Sequence, residues 1–475
     1  MNTSNSKIRG LVFVLACAVI LNCCPAVSAQ QKGDRVFVYK SYDTKIYDKK
    51  VGKVYAGSIH TVIDVNGKWC AVKGVRGWLP MQNTMTLNDA LTSMNNRIKR
   101  NSKDDDAYAT RGLIFFEREQ YDRAFHELNL ALKANPNKVQ AWNNRGLVLW
   151  AQGKLDLAIK DISQAIKLSP KFGDAYNNRG MIYYDQGRFD KSIQDYTNAI
   201  KQEKSNPWYF INRGSARLES GEAGEAIKDY DSAIRLNNKL ASPYLGRCNV
   251  YISQDNWKKA EENANLAIER APKLAEAFNK RGWIRYKDGR NREAIADLTE
   301  AVKLDNALAG AFNNRGVVFA SIQEYSKAIA DYDQAITMDE YNSLALANRG
   351  TAHFDIGEFA KAKSDFEKAI ELSPKSGEIM SAYAWFLATC EDSDFRDGEK
   401  AAELSLEACE DSKWKVANRI DTYAAALAEN GDFKEARSMQ KKAIQQSDSN
   451  ELLNFRKRLK VYEKNKPFRN KVVDN

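Results

Sequence analysis

The chain has 475 residues, 43% of them apolar and 28% charged, with a formal net charge of +10. This composition is that of an ordinary folded protein, and the length allows about three domains unless the chain is a repeat array, whose core grows without dividing. Nine prolines leave room for long uninterrupted helices. The cysteines beyond residue 29 are widely spaced and include no Cys-x-x-Cys pair, which excludes a disulfide framework.

Residues 1–29 read as a secretory signal. Lys7 and Arg9 precede the apolar run Leu11 to Leu21, and Val27-Ser28-Ala29 supplies small residues before a cleavage point. The run is short for a membrane span, which needs about 20 apolar residues. Asn22 before Cys23 fits poorly as a lipid-attachment site. The expected location is therefore periplasmic or extracellular. Cys390 and Cys409 fall near the distal ends of two antiparallel helices and are expected to be free thiols.

Residues 32–82 alternate with period two. Arg35 to Tyr39 and Val62 to Val72 carry the pattern, and Asn66-Gly67 is a hairpin turn within the second. With Lys68-Trp69 and Gly77-Trp78-Leu79, the segment resembles bacterial Src-homology-3-type domains. That resemblance implies a small β-barrel and makes Tyr39, Trp69 and Trp78 candidate ligand contacts, although tryptophan in so small a barrel is more often core.

Beyond residue 100 the period is 34. Arg111, Arg145, Arg179, Arg213, Arg247, Arg281, Arg315 and Arg349 recur without a slip, each followed by glycine or, once, by Cys248. An alanine follows 19 residues later in every unit, from Ala131 to Ala369. Within residues 138–171, Trp142, Gly146 and Leu149 mark one helix, and Ala158, Ile162 and Ala165 a second. Gly153 stands between them, where a helix end favours positive φ. The small residues let the two helices approach closely.

This spacing resembles the tetratricopeptide repeat. The resemblance covers eight regular units over 105–376 and two divergent ones to residue 446, the ninth with an insertion near Asp392–Asp397. Residues 86–100 read as a capping helix in front. Leu452, Phe455, Leu459 and Tyr462 mark a capping helix behind, within 449–475, which ends in a basic tail. The implied fold is an all-α superhelical solenoid of helical hairpins behind a small all-β barrel.

Two residue rows follow from the repeat. Sixteen residues after each arginine stands an acid, except at Asn263. Arg145 with Asp161, Arg179 with Asp195 and Arg213 with Asp229 are thus expected to form a structural ion-pair ladder. Asn144, Asn178, Asn212, Asn314 and Asn348 precede the arginines. In the family that position lines the concave groove, where an amide offers donor and acceptor to an extended peptide, as in the repeat region of O-linked N-acetylglucosamine transferases. The same asparagines could instead bond between repeats. Trp150, Tyr184, Trp208, Trp283, Tyr286 and Phe354 are candidate groove pockets. Gln140, Asn143, Asp174 and Asn177 stand where the family's clamp for carboxyl termini needs lysine and arginine, so that clamp is absent.

No catalytic constellation emerges. His60, His126 and His353 fall in different modules, and no phosphate loop, nucleophile elbow or metal-ligand spacing is present. The expectation is a non-enzymatic scaffold without cofactor or metal, binding protein or extended peptide in the groove. Residues 30–100 and 456–475 carry basic excess and the stretch between them is weakly acidic. In an exported chain those ends point to wall polymer or anionic lipid, not nucleic acid. The competing expectation is therefore envelope attachment, with the solenoid as spacer.

Overall fold

The computed structural model describes residues 86–447 and 451–472 in full. Ahead of them it gives only backbone strand segments between residues 35 and 86, such as Ile59–Asn66 antiparallel to Trp69–Val72. The signal over 1–29 and the barrel expected over 32–82, with Tyr39, Trp69 and Trp78, lie outside the described residues.

From Leu87 onward the chain is helical. It divides into two compact units, Met1–Gly246 and Arg247–Asn475. In the first, the helix Leu87–Arg100 precedes antiparallel hairpins at 105–134, 139–168, 173–202 and 207–236. In the second, hairpins follow at 275–304, 309–338, 343–372, 377–411 and 417–446, before a last helix Leu452–Tyr462. The helix Ser242–Ser253 spans the division in sequence, and Trp257–Arg270 follows it. Each hairpin has a leading helix of about 13 residues and a trailing one of about 14. The insertion in the ninth repeat is a single turn of 3₁₀ helix, Ser393–Phe395.

Small residues decide how closely the paired helices pack. A Cβ on Gly146 would stand 2.5 Å from Ile162 Cγ1, and one on Gly316 2.6 Å from Tyr332 Cε1. Every leading helix through residue 355 carries glycine there except one, in which Cys248 is buried against Ala260, Ala264 and Ile284. Ala264 stands at the position occupied elsewhere by Leu128, Ile162, Tyr196, Leu298, Tyr332 and Phe366. Cys248 on the leading helix faces the smaller Ala264 on the trailing one, so the exchange partly compensates between the two helices.

The turns repeat one backbone state. Gly153 has φ +75°, and Glu119, Asp255 and Gln323 hold the equivalent turn at φ +60°, +53° and +65°. A Cβ in that region is disfavoured by about 1–2 kcal/mol. Hairpin packing therefore holds the turn even where the sequence lacks glycine. Cys248, Cys390 and Cys409 are buried free thiols. Burial pushes the Cys409 thiol up to about 12 and that of Cys248 to about 11.

Candidate functional site: the leading-helix faces

The arginines and acids meet in pairs. Arg145 Nε and Nη2 donate to the two oxygens of Asp161 at 2.6 and 2.9 Å, and Nη1 reaches back to Asn129 Oδ1 of the preceding hairpin at 2.6 Å. Arg179 holds Asp195 and Ser163 in the same way, and Arg213 holds Asp229 and Thr197. In the second unit Arg281, Arg315 and Arg349 bind Asp297, Asp331 and Asp365. Arg111 binds Glu127 and also Asn95 of the helix Leu87–Arg100, tying that helix to the first hairpin. Each arginine thus fastens leading helix to trailing helix and one hairpin to the one before it. At the exception, Asn263 gives its amide to Lys259 O, and its Oδ1 is buried without a hydrogen bond.

The asparagines also join hairpins. Asn178 Nδ2 donates to Asn143 Oδ1 at 3.0 Å, and Asn212 Nδ2 to Asn177 Oδ1 at 2.9 Å. In the second unit Asn314 donates to Asn279 at 2.9 Å and Asn348 to Asn313 at 3.0 Å. Asn144 is buried and accepts from Asn143. Bonding between repeats, the second reading of these asparagines, is thus made by four of the five. In Asn178, Asn212, Asn314 and Asn348 one amide N–H is committed between repeats, and the carbonyl Oδ1 takes no partner among the described residues. The acceptors Asn143, Asn177 and Asn313 were visible only as a second asparagine one position earlier, and Asn279 holds that position before Lys280. Sequence reasoning did not pair the two because their contact spans 35 residues.

The aromatic candidates divide. Trp150 is buried and its Nε1 donates to Asp185 Oδ2 at 2.8 Å, so it belongs to the packing between hairpins. Phe354 is buried edge-on to Phe386, 5.2 Å between centroids. Neither is a groove pocket, because each fills the seam to the next hairpin. Tyr184 and Trp208 in the first unit are half-buried, as are Trp283 and Tyr286 in the second. The Trp283 ring lies 5.4 Å from that of Tyr286 and has Lys287 Nζ 5.8 Å from its centroid.

One further feature was not expected. Tyr209 OH donates to Asp174 Oδ1 at 2.5 Å between successive leading helices, and burial raises the Asp174 carboxyl to about 6. His353 is buried with Nδ1 2.5 Å from Glu358 Oε2, a packed histidine rather than a reactive one. Among the described residues no cluster of histidine, cysteine and carboxylate could hold a metal, and no helix is long and apolar enough to cross a membrane.

The tetratricopeptide-repeat family description matches residues 173–206 and 343–376 in one form, and 109–171 and 279–343 in another. The chain carries tetratricopeptide repeats. Among solved structures, a tetratricopeptide repeat protein from Parabacteroides merdae is 20% identical, with TM-score 0.45, over 55% of this chain and 98% of that one. YrrB, a repeat protein with an unusual peptide-binding site, is 24% identical, with TM-score 0.31, over 39% of this chain and 96% of that one. TTC0263 from Thermus thermophilus is 16% identical, with TM-score 0.35, over 38% and 98%. No curated protein matches.

Proposed function

We propose that this is a non-enzymatic protein-interaction scaffold that takes extended segments of partner proteins along the leading-helix face of each unit. One observation carries the reading. Asn178 and Asn212 in the first unit, and Asn314 and Asn348 in the second, present carbonyl oxygens at the repeat spacing while their amide nitrogens are tied down. A row that offers an acceptor and a remaining N–H at each repeat suits an extended partner backbone and does not read its side chains. Tyr184 and Trp208, half-buried on the helices of Asn178 and Asn212, and Trp283 and Tyr286, half-buried on the leading helix before that of Asn314, supply the side-chain contacts.

Export with removal of residues 1–29, and a Src-homology-3-like barrel over 32–82, belong to the same proposal. They rest on the sequence patterns alone. The envelope-attachment alternative loses part of its support at the basic tail. Arg458 lies 2.8 Å from Asp421 and Arg469 2.6 Å from Glu429, so two of its charges are paired within the fold.

A pull-down tests the reading. Because the asparagines hold repeats together, the variant to compare is Trp208→Ala with Trp283→Ala. The wild type is expected to retain protein partners from an envelope extract that the variant loses at unchanged helicity. Equal capture by both, released by salt and consisting of wall polymer or anionic lipid, would favour attachment instead.

A further inference from the structure

The end of the chain returns onto its own last repeats. After the helix Leu452–Tyr462, residues 463–472 run without regular structure past three successive leading helices, Ser343–Asp355, Gly377–Thr389 and Ala417–Glu429. Each helix is touched through its last residue. Asn470 Nδ2 donates to Asp355 Oδ1 at 3.3 Å, and the Asn470 backbone N–H donates to Thr389 O at 2.9 Å. Arg469 Nη1 lies 2.6 Å from Glu429 Oε2. The Phe468 ring lies 5.8 Å from that of Trp385, with the Arg458 guanidinium 5.1 Å from the Trp385 centroid and 5.6 Å from that of Phe468.

Other hairpins leave the equivalent place open. A Cβ built on the turn glycines Gly153, Gly187, Gly221 or Gly289 meets nothing within 4 Å, whereas at Gly357 it would meet Val472 Cγ1 at 3.2 Å. The tail therefore covers a surface that the repeat itself does not close.

The chemistry of the covered surface is specific. The last carbonyls of a helix have no partner within it and need an outside donor, which the Asn470 backbone supplies at Thr389. Glu429 receives Arg396 on Oε1 at 2.9 Å, and its Oε2 is buried without a hydrogen bond, so the nearby Arg469 cation supplies charge where water is excluded. Trp385 takes an aromatic ring. Phe468 to Asn470 supply this set, and the strap itself stays half-exposed, with Lys471 exposed. An irregular segment lying at the surface belongs to the part of a protein that opens without unfolding the rest.

We propose that residues 467–472 are a resident, displaceable ligand of the last three hairpins, and that a partner segment with an aromatic residue followed by arginine and asparagine takes the same place. This deepens the scaffold reading and rests on it, by naming the class of peptide that one part of the leading-helix surface selects.

The test uses the full-length chain and a fluorescein-labelled peptide with the sequence of residues 464–475. A full-length variant carrying Phe468→Ala, Arg469→Ala and Asn470→Ala should bind the peptide at least tenfold more tightly than the wild type does. A peptide with the same three changes should lose at least tenfold. If variant and wild type melt alike and bind the peptide equally, or not at all, the proposal is overturned. Should the variant melt without cooperativity, hydrogen exchange on the wild type decides. An Asn470 amide exchanging far faster than the amides of Gly377–Thr389 supports a displaceable strap, and one exchanging as slowly overturns it. Loss of this proposal alone would leave partner capture through Trp208 intact, whereas failure of the scaffold reading would abolish that capture as well.

Discussion

Asn178 donates its side-chain amide to Asn143 of the preceding hairpin across 3.0 Å, and that bond ties one leading helix to the next. Removing it should cost what a hydrogen bond between neutral groups is worth, about 1 kcal/mol. Asn178→Ala is expected to lower the unfolding free energy by that amount in urea. Asn178→Asp should cost more, because it sets a carboxylate against the Asn143 carbonyl. Equal stability of the two variants would mean that the bond is not made in solution.

The ion-pair ladder gives a sharper contrast. Asp161 is held by Arg145 in two bonds, whereas Asp229 is held by Arg213 and also by Arg217 at 2.8 Å. Removing one partner of a buried pair costs about 3–5 kcal/mol. Arg145→Ala should show a loss of that order, and Arg213→Ala a smaller one, because Arg217 still neutralises Asp229. Thermal melts read both, and an order reversed from this one would show that the acids are solvated rather than paired.

Gln323 offers a gain. It holds φ +65° in a turn where five other hairpins through residue 372 place glycine. Gln323→Gly relieves that conformation and should raise stability by about 1 kcal/mol, less the entropy glycine adds to the unfolded chain. A lower melting temperature would show that Gln323 makes a compensating contact in solution.

Much of this architecture is legible in the sequence, and the reason is physical. A repeat writes each packing requirement many times, so Arg145, Gly146 and Ala165 are recognisable by recurrence alone. The exchange at Cys248 and Ala264 is not, because the compensation is split between two positions and neither one shows it alone. Two of the aromatic candidates, Trp150 and Phe354, failed for another reason. Trp150 and Tyr184 occupy the same repeat position, yet Asp185 of the next hairpin draws Trp150 inward. The returning tail was out of reach, since Asn470 meets Asp355 across 115 residues with no periodic signal.

Acid should report on Asp174. Its folded carboxyl titrates near 6 because burial disfavours the charge, while Tyr209 opposes the shift and Glu203 adds to it. A carboxyl raised in the folded state holds its proton while the unfolded chain releases it. Stability is therefore greatest below about pH 4 for this group and declines as pH rises to about 6, then levels. Asp174→Asn keeps an acceptor for Tyr209 and removes the titration. The stability of the variant relative to wild type should rise between pH 4 and 6 and stay flat above. A difference independent of pH would place Asp174 in water.

The most direct test of the scaffold reading is site-specific photo-crosslinking from the two sides of one unit. Benzoylphenylalanine is placed at Trp208, half-buried on the leading helix Pro207–Glu219, or at Leu157, 52% exposed on the trailing helix Leu155–Leu168. The account predicts that a partner protein is captured from position 208 and not from 157. Capture from 157 alone, or equally from both, would contradict it.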